Sequence, residues 1–176
     1  MKKLLFLLVF IPLVSFGQED IDKETKETIS WLNSKLSTYS LKVDNIRHNF
    51  ALSHIGIQKS NNGVLKQGTL YLYCAQEEDY DKIERDYIVG LPIMKINSIR
   101  FQEYKNSYHI IFNTVVNSPV IALKDLWDDN ESRQFSDLHI FLSKSLDSEG
   151  LKPRILKAFY YLFKLHGNDL NKTEKF

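Results

Sequence analysis

The chain has 176 residues, 43% hydrophobic and 26% charged, with 23 Lys and Arg against 22 Asp and Glu and a single cysteine. A formal charge of +1 without a basic block excludes the concentrated positive surface on which nucleic-acid affinity depends, so no nucleic-acid partner is expected. One cysteine excludes an internal disulfide, and a chain of this length buries a core without such staples.

Lys2 and Lys3 precede an apolar run from Leu4 to Val14, which closes in Ser15, Phe16, Gly17 and Gln18. This is the pattern of a secretory signal peptide over residues 1–17, in which the small Ser15 and Gly17 suit the cleavage site. The run is well short of the roughly 20 residues of a membrane-spanning helix, and Cys74 lies far from the cut. Neither a stable membrane anchor nor an N-terminal lipid is therefore expected. The expected location is periplasmic or secreted, after cleavage near Gly17/Gln18. Loss of Lys2 and Lys3 takes the formal charge from +1 to −1.

Residues 18–45 read as an N-terminal helix and linker. Ile21, Thr25, Ile29, Leu32 and Leu36 recur at helical spacing within 20–36, while Lys23, Glu24, Lys26 and Glu27 fall elsewhere. Trp31 stands at the edge of the apolar stripe, where a large ring can cover a sheet edge or a groove, and the rim of the core is its expected place.

From Ile46 the period changes to two. Phe50, Leu52, Ile55 and Ile57 lead into "KSNNG", a hairpin signal, and Leu70 to Cys74 runs back, with Cys74 expected as a small buried hydrophobe. The acidic turn "QEEDYD" precedes Tyr87 to Val89, and Gly90 with Pro92 is expected to break the chain before Ile93 to Phe101. "EYKNS" is the next turn. Tyr108 to Val116, Pro119 to Leu123 and Phe135 to Leu142 complete about seven strands.

The last element is "LKPRILKAFYYLFKLHG", Leu151 to Gly167, a helix apolar over a broad arc. Ile155, Ala158, Phe159, Leu162 and Leu165 or His166 are expected to plug the sheet. Arg154, Lys157, Tyr161 and Lys164 form the solvent-facing stripe and are the candidate ligand-binding residues. Gly167 suits the residue after the helix end, and the polar tail 168–176 is expected to fray. Helix, about seven strands, helix is an α+β order with no helices between strands. The expected fold is a meandering antiparallel sheet or half-open barrel closed by the C-terminal helix.

This order of elements resembles the pleckstrin-homology-like (PH-like) superfold over residues 46–166, with "KPRILKAFYYL" in the place of its capping helix. The domain so implied is 46–167. Phosphoinositide-binding members carry clustered basic residues around the first hairpin, whereas "GIQKSNNGVLKQG" offers only Lys59 and Lys66, so headgroup binding is not implied. The whole chain also resembles the many small exported bacterial proteins of unknown function.

Motifs for chemistry are sparse. Asp137, His139 and Ser143 share one strand face, yet His139 and Ser143 are separated by about 13 Å of strand rise, too far for a base and its nucleophile. Asp137 and His139 can still meet as i, i+2 neighbours. The histidines, His48, His54, His109, His139 and His166, form no metal-binding spacing. "DDNES" imitates the start of a calcium loop, but Arg133 replaces the turn glycine and His139 the bidentate glutamate. A looser calcium site would draw on Asp125, Asp128, Asp129 and Glu131. No phosphate-cradling glycine motif is present.

The expected function is a non-catalytic exported binding module for a protein or small envelope ligand, without cofactor or metal. The alternative is a hydrolase-like enzyme with a site assembled from distant segments, for instance His109 or His139 with the acids of 125–131. Intact-mass measurement of the exported protein is expected to show Gln18 as its first residue; retention of Met1 to Gly17 would refute the assignment.

Overall fold

The computed structural model describes residues 2–41, 49–56, 68–77, 84–115, 118–125 and 132–170. Helix α1 (Lys2–Tyr39) is followed by β1 (Asn49–Gly56), β2 (Thr69–Glu77) and β3 (Glu84–Pro92). A 3-10 turn, Ile93–Lys95, leads into β4 (Ile96–Tyr104), β5 (Ser107–Thr114), β6 (Ile121–Asp125), β7 (Ser132–Phe135) and β8 (Asp137–Ser143). A 3-10 helix, Lys144–Glu149, then hands the chain to α2 (Leu151–Leu165). The protein is α+β, with a helix at each end of a strand-rich middle. Among the described residues, no helix is long and apolar enough to cross a membrane.

The strands lie in the order β4-β5-β8-β1-β2-β3-β6-β7. Two antiparallel ladders make up this order, β4-β5-β8 and β1-β2-β3-β6-β7. Among the described residues they are joined by a short parallel contact, in which Asn49 and Phe50 of β1 face His139 and Ile140 of β8. The arrangement is no closed barrel and departs from a simple meander. Sequence neighbours pair as hairpins at β1-β2, β2-β3, β4-β5 and β6-β7, whereas β3-β6, β5-β8 and β1-β8 bring together segments far apart in the chain.

Two local differences from the sequence reading have physical causes. The segment expected as one strand, Phe135 to Leu142, is divided at Ser136, whose carbonyl accepts hydrogen bonds from the Thr114 backbone N–H at 3.0 Å and hydroxyl at 2.8 Å. The chain thereby leaves β7 in one ladder and enters β8 in the other. Gly90 and Pro92, expected to break the chain, both lie inside β3, and the break comes after them. Gly90 sits between Tyr71 of β2 and Ala122 of β6, and a Cβ there would meet the Tyr71 ring at 3.5 Å. That is ordinary van der Waals distance, so the strand accommodates the glycine without needing it, while Pro92 occupies the strand's last position, where a missing N–H is tolerated.

Strand β5 explains where the core lies. Tyr108, Ile110 and Phe112 point to one side with Leu138, Ile140 and Leu142 of β8, and this side is covered by both helices. From α1 come Ile29, Leu32 and Leu36; from α2 come Leu151, Ile155, Phe159, Leu162 and Phe163, all buried. The Phe159 ring meets Phe112 edge-on at 5.1 Å and Phe163 at 6.4 Å. The plugging arc of α2 is thus the one expected from its spacing, except that Phe163 takes the deep place and Leu165 and His166 lie half-buried. Gly167 has φ +89, the left-handed conformation that ends the helix.

The tail does not begin to fray at Asn168. The Asn168 side-chain amide donates to the carbonyls of Ile93 at 2.6 Å and Ile96 at 2.8 Å, and Leu170 is only 3% exposed. The bond to Ile96, with that from the Tyr160 hydroxyl to the Ile99 carbonyl at 3.1 Å, occupies backbone acceptors of the terminal strand β4, and the bond to Ile93 ties the tail to the turn before it. A sheet edge so engaged is less available for pairing with another chain.

Phe159→Ala is expected to cost about 3–5 kcal/mol, because it empties a fully buried site between two other rings. Lys164→Glu, on the exposed stripe, is expected to change stability by less than about 0.5 kcal/mol. Urea denaturation of the two variants checks the contrast. A Phe159→Ala midpoint equal to that of the wild type would mean that α2 does not cap the sheet.

Candidate functional site

Two surfaces of the β4-β5-β8 ladder region carry polar groups in unusual company. The first is a groove of about 460 Å³ between the helices, lined by Glu27, Thr28 and Trp31 of α1 and Arg154, Lys157, Ala158 and Tyr161 of α2. Its origin is geometric. Both helices bury their apolar stripes on the same core, so their flanking residues face each other across the space between two cylinders.

At one end of the groove the Arg154 guanidinium stacks over the Trp31 ring, 5.5 Å from its centroid. At the other the Tyr161 hydroxyl donates to Glu24, and this acceptor raises the phenol's pKa above its ordinary value, with smaller contributions from burial and the nearby carboxylates. Lys157 lies in the same helix row and has no ion-pair partner among the described residues. The groove therefore offers two aromatic rings, a small floor at Ala158 and Thr28, and two cations that form no direct ion pair among the described residues, although the Arg154 charge reaches Glu149. Glu27 supplies an opposing charge on the α1 wall.

Three of the four candidate ligand-binding residues, Arg154, Lys157 and Tyr161, line this groove. Lys164 is exposed on the same stripe but does not line it. The α1 wall was invisible to sequence reading, because nothing in residues 20–36 says which element their polar edge will face. Trp31 was singled out as a core-edge ring; it packs against the core and lines the groove as well.

The second surface is the opposite face of the same ladder. There Asp137 and His139 meet as i, i+2 neighbours, His139 Nε2 lying 2.8 Å from Asp137 Oδ2. Ser143 takes no part: its hydroxyl is 2.7 Å from that of Ser145 and accepts from the Ser145 backbone N–H, capping the 3-10 helix Lys144–Glu149. The triad thus reduces to an acid–imidazole pair. The structure adds His109, whose ring packs 5.8 Å from that of His139.

Among the described residues, no group of three or more His, Cys, Asp or Glu side chains gathers as a metal site would require. The acidic loop 126–131, the side chains of Asp125 and Cys74, the "KSNNG" turn and His48 lie outside the described residues, as does the side chain of His54. Compared with known proteins, the chain matches no family model, no curated protein and no solved structure.

The Tyr161–Glu24 contact has a direct readout. A carboxylate that accepts from the phenol stabilises its protonated form, so Glu24→Gln is expected to return the Tyr161 titration toward its ordinary value. Alkaline difference titration of wild type, Glu24→Gln and Tyr161→Phe reads this. A curve for Glu24→Gln that superimposes on the wild type would remove the contact from the site.

Proposed function

We propose that this protein is a non-catalytic exported binding module whose site is the groove between α1 and α2. The observation that carries the reading is the placement of Arg154 and Lys157, neither in a direct ion pair among the described residues, beside the rings of Trp31 and Tyr161 in one open cavity. Such a site suits a small amphipathic anion: an apolar planar body held by the rings, and an acidic group taken by charge-assisted hydrogen bonds. A small envelope ligand fits this volume better than a protein segment, since the groove is short and ends in the Tyr161–Glu24 and Arg154–Trp31 contacts.

Export rests on the n-region, apolar run and small-residue boundary ending at Gly17/Gln18, and it places the mature protein in the periplasm or outside the cell. The reading as a PH-like half-open barrel rests on the antiparallel strands and the C-terminal capping helix. The Asp137–His139 pair supports the enzymatic alternative less well: Ser143, on the same strand face, lies too far along β8 to be its nucleophile and is engaged by Ser145.

An aromatic sulfonate, 8-anilinonaphthalene-1-sulfonate, serves as the probe. It is expected to bind saturably to the wild type, and Lys157→Glu and Arg154→Gln are each expected to weaken binding by about tenfold, the equivalent of about 1.4 kcal/mol for a charge-assisted contact. Fluorescence titration at low ionic strength measures it. Equal affinities in all three proteins would locate the probe elsewhere and sink the reading.

A further inference from the structure

His109 is the most unusual polar residue of the described chain. It lies in the middle of β5, directly opposite Gln102 of β4 and Phe141 of β8, on the face turned away from the helices. It is only 7% exposed, and its Nε2 is buried without a hydrogen-bond partner among the described residues. A buried imidazole nitrogen without a partner is rare in folded proteins and is tolerated here as part of a ring cluster. The His109 ring centroid lies 3.7 Å from Phe141, 5.1 Å from Tyr104 and 5.8 Å from His139.

Among the described residues the groups around it present aromatic faces but no hydrogen-bond acceptor to Nε2. From β4 the same face receives Arg100, whose guanidinium donates to Gln102 Oε1 at 3.0 Å, and Tyr104, with Lys105 over the Tyr104 ring. From β8 it receives His139 and Asp137. Asp137 is the carboxylate on this part of the face, and it is engaged by His139 at 2.8 Å. A proton on His109 would therefore be a buried charge beside a second imidazole, with no hydrogen-bond partner at Nε2 among the described residues.

We propose that His109 is the trigger of an acid-sensitive clasp on the outer face of the β4-β5-β8 ladder: as the neutral ring it holds Tyr104, Phe141 and His139 together, and on taking up a proton it leaves the cluster and loosens that face. The direction of its titration agrees, since burial, and after it the charge of His139, lowers the His109 pKa below the ordinary imidazole value. The unfolded chain thus binds this proton at a higher pH than the folded one. The stabilisation is complete above the ordinary imidazole value and is lost as pH falls through it toward the lowered one. The inference is independent of the groove, which lies on the other side of the ladder, so either can fail without the other.

Thermal melts of the full mature chain from about pH 7.5 to pH 5, on wild type and His109→Phe, test it. Phenylalanine preserves an aromatic ring between Tyr104 and Phe141 and cannot take a proton. The wild-type midpoint is expected to fall across this range, and His109→Phe is expected to remove roughly half of that fall or more. His166→Asn serves as control, because His166 is a second imidazole lowered by burial, 3.4 Å from Thr25 at the far end of the α1–α2 contact. His166→Asn is expected to leave hydrogen exchange of the β5 and β8 amides in acid unchanged, whereas His109→Phe slows it. Parallel melting profiles for wild type and His109→Phe would overturn the proposal. Should His109→Phe fail to fold, ring-proton NMR of the wild type decides: a His109 that titrates at the ordinary imidazole value overturns the clasp, and one that titrates below it as the Phe141 and Tyr104 signals shift supports it.

Discussion

The arrangement depends on one contact, the burial of the inner face of β5 and β8 under α2. Phe112, Phe159 and Phe163 form an edge-to-face series through the middle of the molecule, and Ile110, Ile140, Ile155 and Leu162 fill the space around them. Each buried aliphatic or aromatic side chain contributes on the order of 1.5–3 kcal/mol by leaving water. This layer also decides where α1 can lie. Leu32 and Leu36 need the same core, so α1 settles beside α2, and the groove is the space left between two helices competing for one sheet face.

Polar contacts at the rim then fix the helices relative to the strands. Glu149, at the end of the 3-10 helix, accepts from the Tyr39 hydroxyl and pairs with Lys35 at 3.0 Å, which ties the C-terminal end of α1 to the start of α2. The Tyr39 hydroxyl, and after it Lys35, holds the Glu149 carboxyl below its usual range. Asp147 is treated alike, first by the Tyr108 hydroxyl and then by Lys152, whose ammonium also lies 4.0 Å from the Tyr108 ring. All of these carboxylates are exposed to solvent. They define orientation more than they add stability, as expected for ion pairs in water.

The same ladder has two unlike faces because β5 is buried on both. Its even-numbered residues meet the helices, and its odd-numbered residues, His109 and Ile111, are buried on the other side with Phe141. A strand of this kind reads as an unbroken apolar run, and the histidine inside it gave no sign of its setting. The unpartnered nitrogen follows from that double burial. Among the described residues no acceptor reaches His109 Nε2: Gln102, opposite it on β4, accepts from Arg100, and the Phe141 side chain has no polar atom.

What was legible in the sequence is what short-range periodicity controls. The apolar stripe of residues 20–36, the arc and the Gly167 end of α2, the exposed Arg154, Lys157, Tyr161 and Lys164, and the α+β order all depend on residues a few positions apart, whose geometry the backbone dictates. The Asp137–His139 pair was legible for the same reason. Strand order, the division at Ser136, the placing of Gly90 inside β3 and the anchoring of Asn168 on Ile93 and Ile96 were not, because each is decided by a partner far along the chain. The groove and the histidine cluster belong to this second kind. The sequence by itself determined which faces of each element are apolar. Only tertiary packing decided which faces meet, because burial rewards removal of apolar area from water without naming the surface that removes it.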